Sequence, residues 1–302
     1  MKQGAWSPPA TSACYGWQVS SDASELQASE APWALRVFNQ VWERTLALPL
    51  AFLEELGILL RLLGESLYWG VRPPFRLARF VEAMEFIGIG SIFIVGLTGF
   101  FVGMVFGLQL VDGFSKFGVE NQTGAVIGLA LTRELAPVFS ALMVTSRAGS
   151  AIATELGSMR VTQQIDALLT MAVNPVQYLV VPRLVAGLLM LPVLTMLFNL
   201  VGMAGAWVVC VELMNLDPGV FVDKVRWYTD AADLSQGMIK AAAFGLTVSL
   251  IACRQGFYAG GGAAGIGRAT NRAVVHASVA VLLVDYVITT ILMKLRDAGH
   301  FG

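Results

Sequence analysis

The residues best suited to chemistry in this sequence are charged side chains that interrupt apolar stretches. Arg133 and Glu134 are adjacent near the middle of the apolar stretch 124–150, and Asp285 lies in the stretch 273–294. A charge at the centre of a bilayer costs at least about 2.5 kcal/mol, so such groups normally face other protein groups or a wet cavity. These side chains therefore indicate a polar ligand site or ion pairs between helices.

Arg133 and Glu134 allow two interpretations. In the first, the Arg133 guanidinium attracts an anionic group of a ligand, such as a phosphate, and Glu134 orients it or pairs with another helix. In the second, both residues belong to ion pairs that hold helices together. Since adjacent residues of a helix point in different directions, each would then need its own partner. The two residues alone leave both interpretations open.

Asp285 shares its apolar stretch with His276. The two residues are about two and a half helical turns apart and point in nearly opposite directions, so they cannot form one site within a protomer. For both, the pattern favours hydrogen bonds between helices over a proton relay.

Motifs for catalysis and cofactor binding are absent from the sequence. It contains no Walker A phosphate loop, no HExxH and no GxSxG motif. Residues 260–265 match GxGxxG, but they follow an apolar stretch instead of a β-strand, which is typical of a flexible loop. The 3 Cys and 2 His residues are too scattered for a metal site. We expect no enzymatic activity, cofactor or metal in this chain.

The composition is that of a polytopic membrane protein. The 302 residues are 56% hydrophobic and 14% charged, with a mean hydropathy of +0.68, whereas an average soluble domain is about 25% charged. The net charge of -1 provides no basic field for nucleic acid. We predict an all-α integral membrane protein whose five or so transmembrane helices cover residues 86–111, 124–150, 179–212, 236–257 and 273–294.

Two of these predicted spans have distinctive patterns. In the first, Gly99, Gly103 and Gly107 form a stripe of small residues that predicts a helix-packing face. In the fourth, only residues 241–253 are free of charge. The fourth span therefore reaches the required length only if Lys240 and Arg254 extend their charged ends to the membrane surfaces.

The segments before the spans are predicted to lie on the cytoplasmic side. Residues 1–32 have the composition of a disordered tail, and 33–82 form an amphipathic interfacial helix region, with a soluble amphipathic helix as the alternative. Residues 83–302 form the membrane domain. Because Lys and Arg are concentrated before the first span and in the loops after the second and fourth, we predict a cytoplasmic N-terminus and an external C-terminus.

The loop between the second and third spans carries a short amphipathic pattern over 155–169. Leu156 and Met159 lie on its apolar face, and the turn Asn174-Pro175 follows it. It is either an ordinary surface helix or a docking helix that takes up the motion of a partner. Its polar residues and the two apolar ones form the candidate coupling surface: Glu155, Leu156, Met159, Arg160, Gln163 and Asp166.

Several collinear motifs resemble the MlaE/YrbE family of ABC-transporter permeases. They are GFFVGMVFGLQL, LTRELAPV, RAGSAIATELGSMRVTQQIDAL, MAVNPVQYLVVPR and GIGRATNRAVVHAS, and the similarity covers about residues 80–295. The resemblance implies a permease homodimer in the bacterial inner membrane, with a periplasmic C-terminus. It also implies that the segment 155–169 is a coupling helix that fits the groove of an ATPase.

The resemblance further implies partners and a substrate. The partners would be two ABC ATPase subunits that bind ATP and Mg, and a hexameric ring of periplasmic MCE-domain subunits. In some members a small STAS-domain protein also binds the ATPase. The substrate would be phospholipid or a related lipid, moved between the inner membrane and the periplasm or outer membrane, a process that bears on lipid asymmetry.

A lipid transporter must keep lipid tails dry and the headgroup wet, which predicts an apolar cavity at the dimer axis. Besides Arg133 and Glu134, span position suggests six lining residues: Leu97, Phe101, Val105, Leu108, Leu131 and Leu135. One alternative is an ion-coupled secondary transporter that uses Arg133, Glu134 and Asp285. Another is a structural scaffold for the MCE ring. Dependence on a partner's ATP hydrolysis separates the first function from both.

Overall fold

A computed structural model describes residues 55–70, 72 and 77–297, with side chains described as far as Lys294. The chain divides into two units, 1–58 and 59–302. Of the first unit, only residues 55–58 are described, and they are helical. The tail predicted over 1–32 and most of the interfacial region predicted over 33–82 lie outside the described residues. The fold below is that of the second unit.

From Leu77 onward the described part of the chain is almost entirely helical. Wide helical turns of the π type at Leu131–Leu135, Thr145–Gly149, Val176–Val180 and Val208–Leu213 interrupt the α-helices without separating them. The α-helices are α1 (Leu77–Ile87), α2 (Ile92–Ser115), α3 (Thr123–Ala130), α4 (Ala136–Val144), α5 (Ser150–Val161), α6 (Gln164–Thr170), α7 (Val181–Trp207), α8 (Pro218–Tyr228), α9 (Ala231–Phe257) and α10 (Gly262–Asp297).

Within the described residues, five helical stretches are long and apolar enough to cross a membrane, which confirms the prediction of an all-α integral membrane protein. A span needs about 20 mostly apolar residues, and each stretch exceeds that length. In order they are called the first to fifth spans: Leu77–Ser115, Glu120–Val161, Val176–Leu213, Ala231–Phe257 and Gly262–Lys294.

The fourth span differs from the prediction in how it reaches its length. Its helix begins at Ala231, where the Asp230 and Asp233 side chains form a capping box with each other's backbone N–H groups. Lys240 therefore lies well inside the helix. The prediction that Lys240 extends to a membrane surface is wrong, because its side chain is only 2% exposed and is held by carboxylates of neighbouring spans.

Close backbone approach joins the first span to the third. Gly99, Gly103 and Gly107 are all buried on one face of α2. A Cβ on Gly103 would overlap the backbone of Gly202, and one on Gly107 would lie 3.2 Å from Cys210 Sγ. This face needs residues without side chains because the two backbones are in contact.

The end of the second span is held between the fourth and fifth spans. A Cβ on Gly256 would lie 2.7 Å from the Ala153 carbonyl, so α5 and α9 also pack closely. The hydroxyls of Thr154 and Thr270 are 2.8 Å apart and link α5 to α10. Consequently α5 is a continuation of the second span and part of the packed bundle.

The segment 155–169 forms two helices, whereas the sequence pattern predicted one. α5 ends at Val161, and Gln163 adopts a left-handed conformation with φ of 59° before α6 begins at Gln164. The Arg160 guanidinium and the Asp166 carboxylate, 2.7 Å apart, join the two sides of this turn. We call α5, the turn at Gln163 and α6 the elbow.

Candidate functional site

The candidate site is a cluster of five charged side chains from the second, fourth and fifth spans. Arg133 and Glu134 come from the wide turn Leu131–Leu135, Asp233 and Lys240 from α9, and Asp285 from α10. Because a wide turn rotates the residues that follow it relative to a regular helix, this turn bears on where the side chains of Arg133 and Glu134 point.

Arg133 pairs with Asp233 at the beginning of the fourth span. Its Nε donates to Asp233 Oδ1 at 2.8 Å, and Nη2 lies 2.5 Å from the same oxygen. The other carboxylate oxygen of Asp233 accepts the backbone N–H of Asp230 at 3.1 Å. The nearly buried Asp233 carboxylate thus caps the fourth span and also pairs with the Arg133 guanidinium of the second span.

Lys240 joins three spans. Its ammonium lies 2.5 Å from Glu134 Oε2 and 3.2 Å from Asp285 Oδ1, and it also donates to the backbone carbonyl of Arg133 at 3.3 Å. A buried ammonium needs such compensation, since an unpaired charge in a low-dielectric interior costs several kcal/mol.

The cluster carries three carboxylates and two cations, and its members differ in exposure. Side-chain exposure is 28% for Arg133 and 44% for Glu134, against 2% for Lys240. Arg133 and Glu134 are the most exposed members, followed by Asp285 at 22%, so a ligand could reach them while Lys240 holds the spans together. Each of the two also has a protein partner of its own.

The depth of the cluster differs from its position in the sequence. Arg133 lies near the middle of its apolar stretch, but its partner Asp233 is the third residue of α9. The preceding turns of the second span pack on α8, where a Cβ on Gly124 would lie 2.7 Å from the Phe221 carbonyl. Arg133 therefore lies level with the first turn of the fourth span.

The six apolar lining candidates are not brought together in one protomer. Four of them are exposed along one side of α2, opposite its glycine face: Leu97, Phe101, Val105 and Leu108. Leu131 is fully buried and packs on Gly202, and Leu135 is partly buried. A cavity between copies could therefore use the exposed side of α2 but not Leu131.

The coupling candidates lie on and beside the elbow. Leu156 is buried and Met159 packs against the core, whereas Gln163 is exposed at the turn. All three charged candidates have partners within the chain, since Glu155 is 2.8 Å from Arg183 and Arg160 is 2.7 Å from Asp166. The exposed charges of the elbow are therefore already paired.

Two clefts of the described residues lie near the elbow. One of about 280 Å³ is lined by Arg79, Glu82, Glu155 and Arg183 among others, and one of about 210 Å³ by Trp69 and its neighbours. A more open cleft of about 720 Å³ lies beside the start of the fourth span, where residues of α8 and Asp230 line it. None of these three clefts is lined by Arg133 or Glu134.

His276 and Asp285 contact different neighbours. His276 Nδ1 lies 3.1 Å from Gln255 Nε2 of the fourth span, while Asp285 faces Lys240. The two side chains do not meet, and each contacts the helix beside it.

Sequence reasoning missed Asp233 and Lys240 as members of the site. The signal that could have found them is charge complementarity: a membrane span that carries Arg133 and Glu134 needs an acid and a base on its neighbours. Asp233 resembled an ordinary helix-start residue, and Lys240 resembled a flanking residue of the fourth span.

Comparison with known proteins identifies the family of this bundle. The family model described as Permease MlaE matches residues 80–291, which include all five charged residues of the cluster and the whole elbow. The chain belongs to the MlaE permease family. The match begins in α1 and ends within α10.

Named relatives come from distant organisms. A probable ABC transporter permease protein of Rickettsia felis is 37% identical over 86% of this chain and 99% of the relative. The intermembrane phospholipid transport system permease protein MlaE of Haemophilus influenzae is 39% identical over 70% of this chain and 82% of its own. The chloroplastic protein TRIGALACTOSYLDIACYLGLYCEROL 1 of Arabidopsis thaliana is 34% identical over 77% and 64%, respectively.

Proposed function

We propose that this MlaE-family permease is the membrane subunit of an ABC transporter that moves phospholipids between the inner membrane and the periplasm or outer membrane. The observation that carries the proposal is the continuity of the second span. It runs without a break from the charged cluster through α4 to the elbow, between residues Glu120 and Val161. One continuous helical segment therefore connects a polar site in the bundle to a surface that a partner can push.

The proposed complex contains two copies of this chain, two ATPase subunits that bind ATP and Mg, and a hexameric ring of MCE-domain subunits. A STAS-domain protein is a further candidate partner. The elbow would sit in a groove of each ATPase on the cytoplasmic side, which places the N-terminus in the cytoplasm and the C-terminus in the periplasm. Because the exposed charges of the elbow are paired within the chain, docking by shape and apolar contact is favoured over new salt bridges.

The proposed lipid path lies between two copies. The exposed side of α2, with Leu97, Phe101, Val105 and Leu108, would face lipid tails across the dimer axis. The partly exposed Arg133 would attract the headgroup phosphate with Glu134 beside it. The depth of Arg133, level with the end of the fourth span, supports a headgroup near the periplasmic surface.

An ion-coupled secondary transporter built on Arg133, Glu134 and Asp285 has less support. All three side chains are engaged by Asp233 or Lys240 within the protomer, and ABC-transporter relatives couple transport to a separate ATPase. A scaffold without a transport role would leave the polar cluster without a function beyond stability.

The decisive experiment is purification of the assembled complex followed by transfer of labelled phospholipid between proteoliposomes and acceptor vesicles. We expect transfer that requires ATP and stops when the Walker A lysine of the partner ATPase is replaced. Transfer that ignores ATP but follows an ion gradient would overturn the ABC function, and no transfer by an intact, ATP-hydrolysing complex would favour the scaffold.

A further inference from the structure

The first span contains a break that leaves a backbone acceptor open. α1 ends at Ile87, a tight turn covers Ile89–Ser91, and α2 begins at Ile92. Phe86 lies in the last turn of α1, where backbone carbonyls have no donor from their own helix. A partner for this carbonyl must come from elsewhere in the bundle.

Arg147 of the second span supplies that partner. Its Nη1 donates a hydrogen bond to the Phe86 carbonyl, and the guanidinium carbon lies 4.9 Å from the centre of the Phe86 ring. A cation at the C-terminal end of a helix also interacts favourably with the helix dipole. Arg147 thus contacts both the backbone and the side chain of one residue.

Gly90 provides the space that the guanidinium occupies. A Cβ on Gly90 would overlap the Nη1, Nη2 and Cζ atoms of Arg147. Gly90 does not have a positive φ, so a side chain is excluded here by Arg147 and not by backbone conformation. The break in the first span therefore fits the Arg147 side chain.

Arg147 lies where the second span leads into the elbow. It belongs to the wide turn Thr145–Gly149, and α5 begins directly afterwards at Ser150. The Ser150 hydroxyl donates to the Arg147 carbonyl at 3.0 Å. Wide turns and side-chain bonds to helix carbonyls are places where a helix can bend, so α5 can move relative to α4 at this point.

We propose that Arg147 is a positioning residue that transmits movement of the elbow from the second span to the first. This assignment rests on the proposed function. When an ATPase displaces the elbow, Arg147 moves with α5, and its contacts with Phe86 and Gly90 make α1 follow. Without them α5 bends alone, and ATP hydrolysis no longer rearranges the first span, which borders the proposed lipid path.

The test is a double-mutant cycle in the purified complex, with lipid transferred per ATP hydrolysed as the readout. The variants are Arg147→Ala, Gly90→Ala and their combination. Gly90→Ala keeps the guanidinium but displaces it from its space. Matched controls are Arg268→Ala, an exposed arginine near the start of α10, and Gly96→Ala, where a Cβ meets no neighbour within 4 Å.

We expect each single variant to lower the transfer ratio about tenfold while ATP hydrolysis continues, a size typical of coupling between two sites. The combined variant should be no worse than Arg147→Ala, because both changes remove the same contact. Both controls should keep the wild-type ratio.

Three results would overturn the assignment. The first is an unchanged ratio of lipid transferred to ATP hydrolysed in either single variant. The second is a combined variant whose loss equals the product of the two single losses. Failure of both single variants to assemble would make the contact purely structural. A wild-type complex without ATP-dependent transfer would instead overturn the proposed function itself, so the two failures are distinguishable.

Discussion

At the scale of single residues, Lys240 organises the bundle. It replaces the hydration of an ammonium with two carboxylates and a carbonyl from the second and fifth spans. Removing one partner of a buried ion pair leaves an uncompensated charge, which is more damaging than removing both. Comparing single with paired substitutions can therefore distinguish a residue that holds the spans together from one that binds a ligand.

We expect Lys240→Met to lower the midpoint of thermal aggregation in detergent, since Glu134 and Asp285 would face each other without a cation. Removing one partner of a buried ion pair typically costs about 3–5 kcal/mol. Lys116→Met is the matched control, because Lys116 pairs with Asp112 on the exposed surface, and it should change the midpoint little. Equal effects of the two changes would contradict the role given to Lys240.

The two interpretations of Arg133 predict different results when Arg133 and its partner Asp233 are both replaced by neutral residues. Arg133→Gln alone leaves Asp233 nearly buried and unpaired, so it should impair both stability and lipid transfer. Adding Asp233→Asn restores neutrality and should restore stability. If Arg133 binds a headgroup, transfer remains lost in the stable double variant, whereas recovery of transfer would show that its role is to hold the spans together.

At the scale of helices, glycine contacts set how closely the spans approach. Gly103 and Gly96 lie on the same helix α2, but only Gly103 meets the backbone of the third span. This difference allows a comparison in which the substitution and the helix are the same, while only Gly103 is buried against a neighbour.

We expect Gly103→Ala to lower the thermal midpoint and Gly96→Ala to leave it unchanged or raise it. Alanine favours a helix by about 1 kcal/mol over glycine, but at position 103 its Cβ must push α2 away from α7. A midpoint that rises at position 103 would show that the two helices separate without cost.

The elbow shows what local pattern could and could not predict. Runs of apolar residues predicted the five spans, because each span must by itself be long and apolar enough to cross the membrane. The turn at Gln163 was missed because a left-handed residue is usually Gly or Asn, and glutamine gives no such signal. The role of Lys240 was missed because its two carboxylate partners lie on other spans, and helix periodicity carries no information about which spans meet.

At the scale of the whole molecule, the exposed apolar side of α2 must contact lipid or another protein chain. Phe101 is 52% exposed there, directly opposite the glycines that face α7. In the proposed dimer this side faces the second copy across the lipid path, while the exposed side of α10 faces bulk lipid.

Chemical cross-linking in native membranes tests this arrangement. With Cys14 replaced by Ser, Phe101→Cys should give a cross-linked dimer with a bis-maleimide that spans the lipid path, which is too wide for a direct disulfide, and Val279→Cys on α10, 53% exposed, should not. The other native cysteines, Cys210 and Cys253, are buried. Cross-linking through position 279 and not 101 would place the dimer contact on the fifth span.

The ion pair between Arg133 and Asp233 also has a consequence for biosynthesis. The two residues are 100 positions apart, and ribosomes add about 5–20 residues per second, so Arg133 emerges roughly 5–20 s before its carboxylate. Lys240 is made later than Glu134 as well. During that interval the second span is a poor candidate for release into lipid, and the insertion machinery has to retain it until the fourth span arrives.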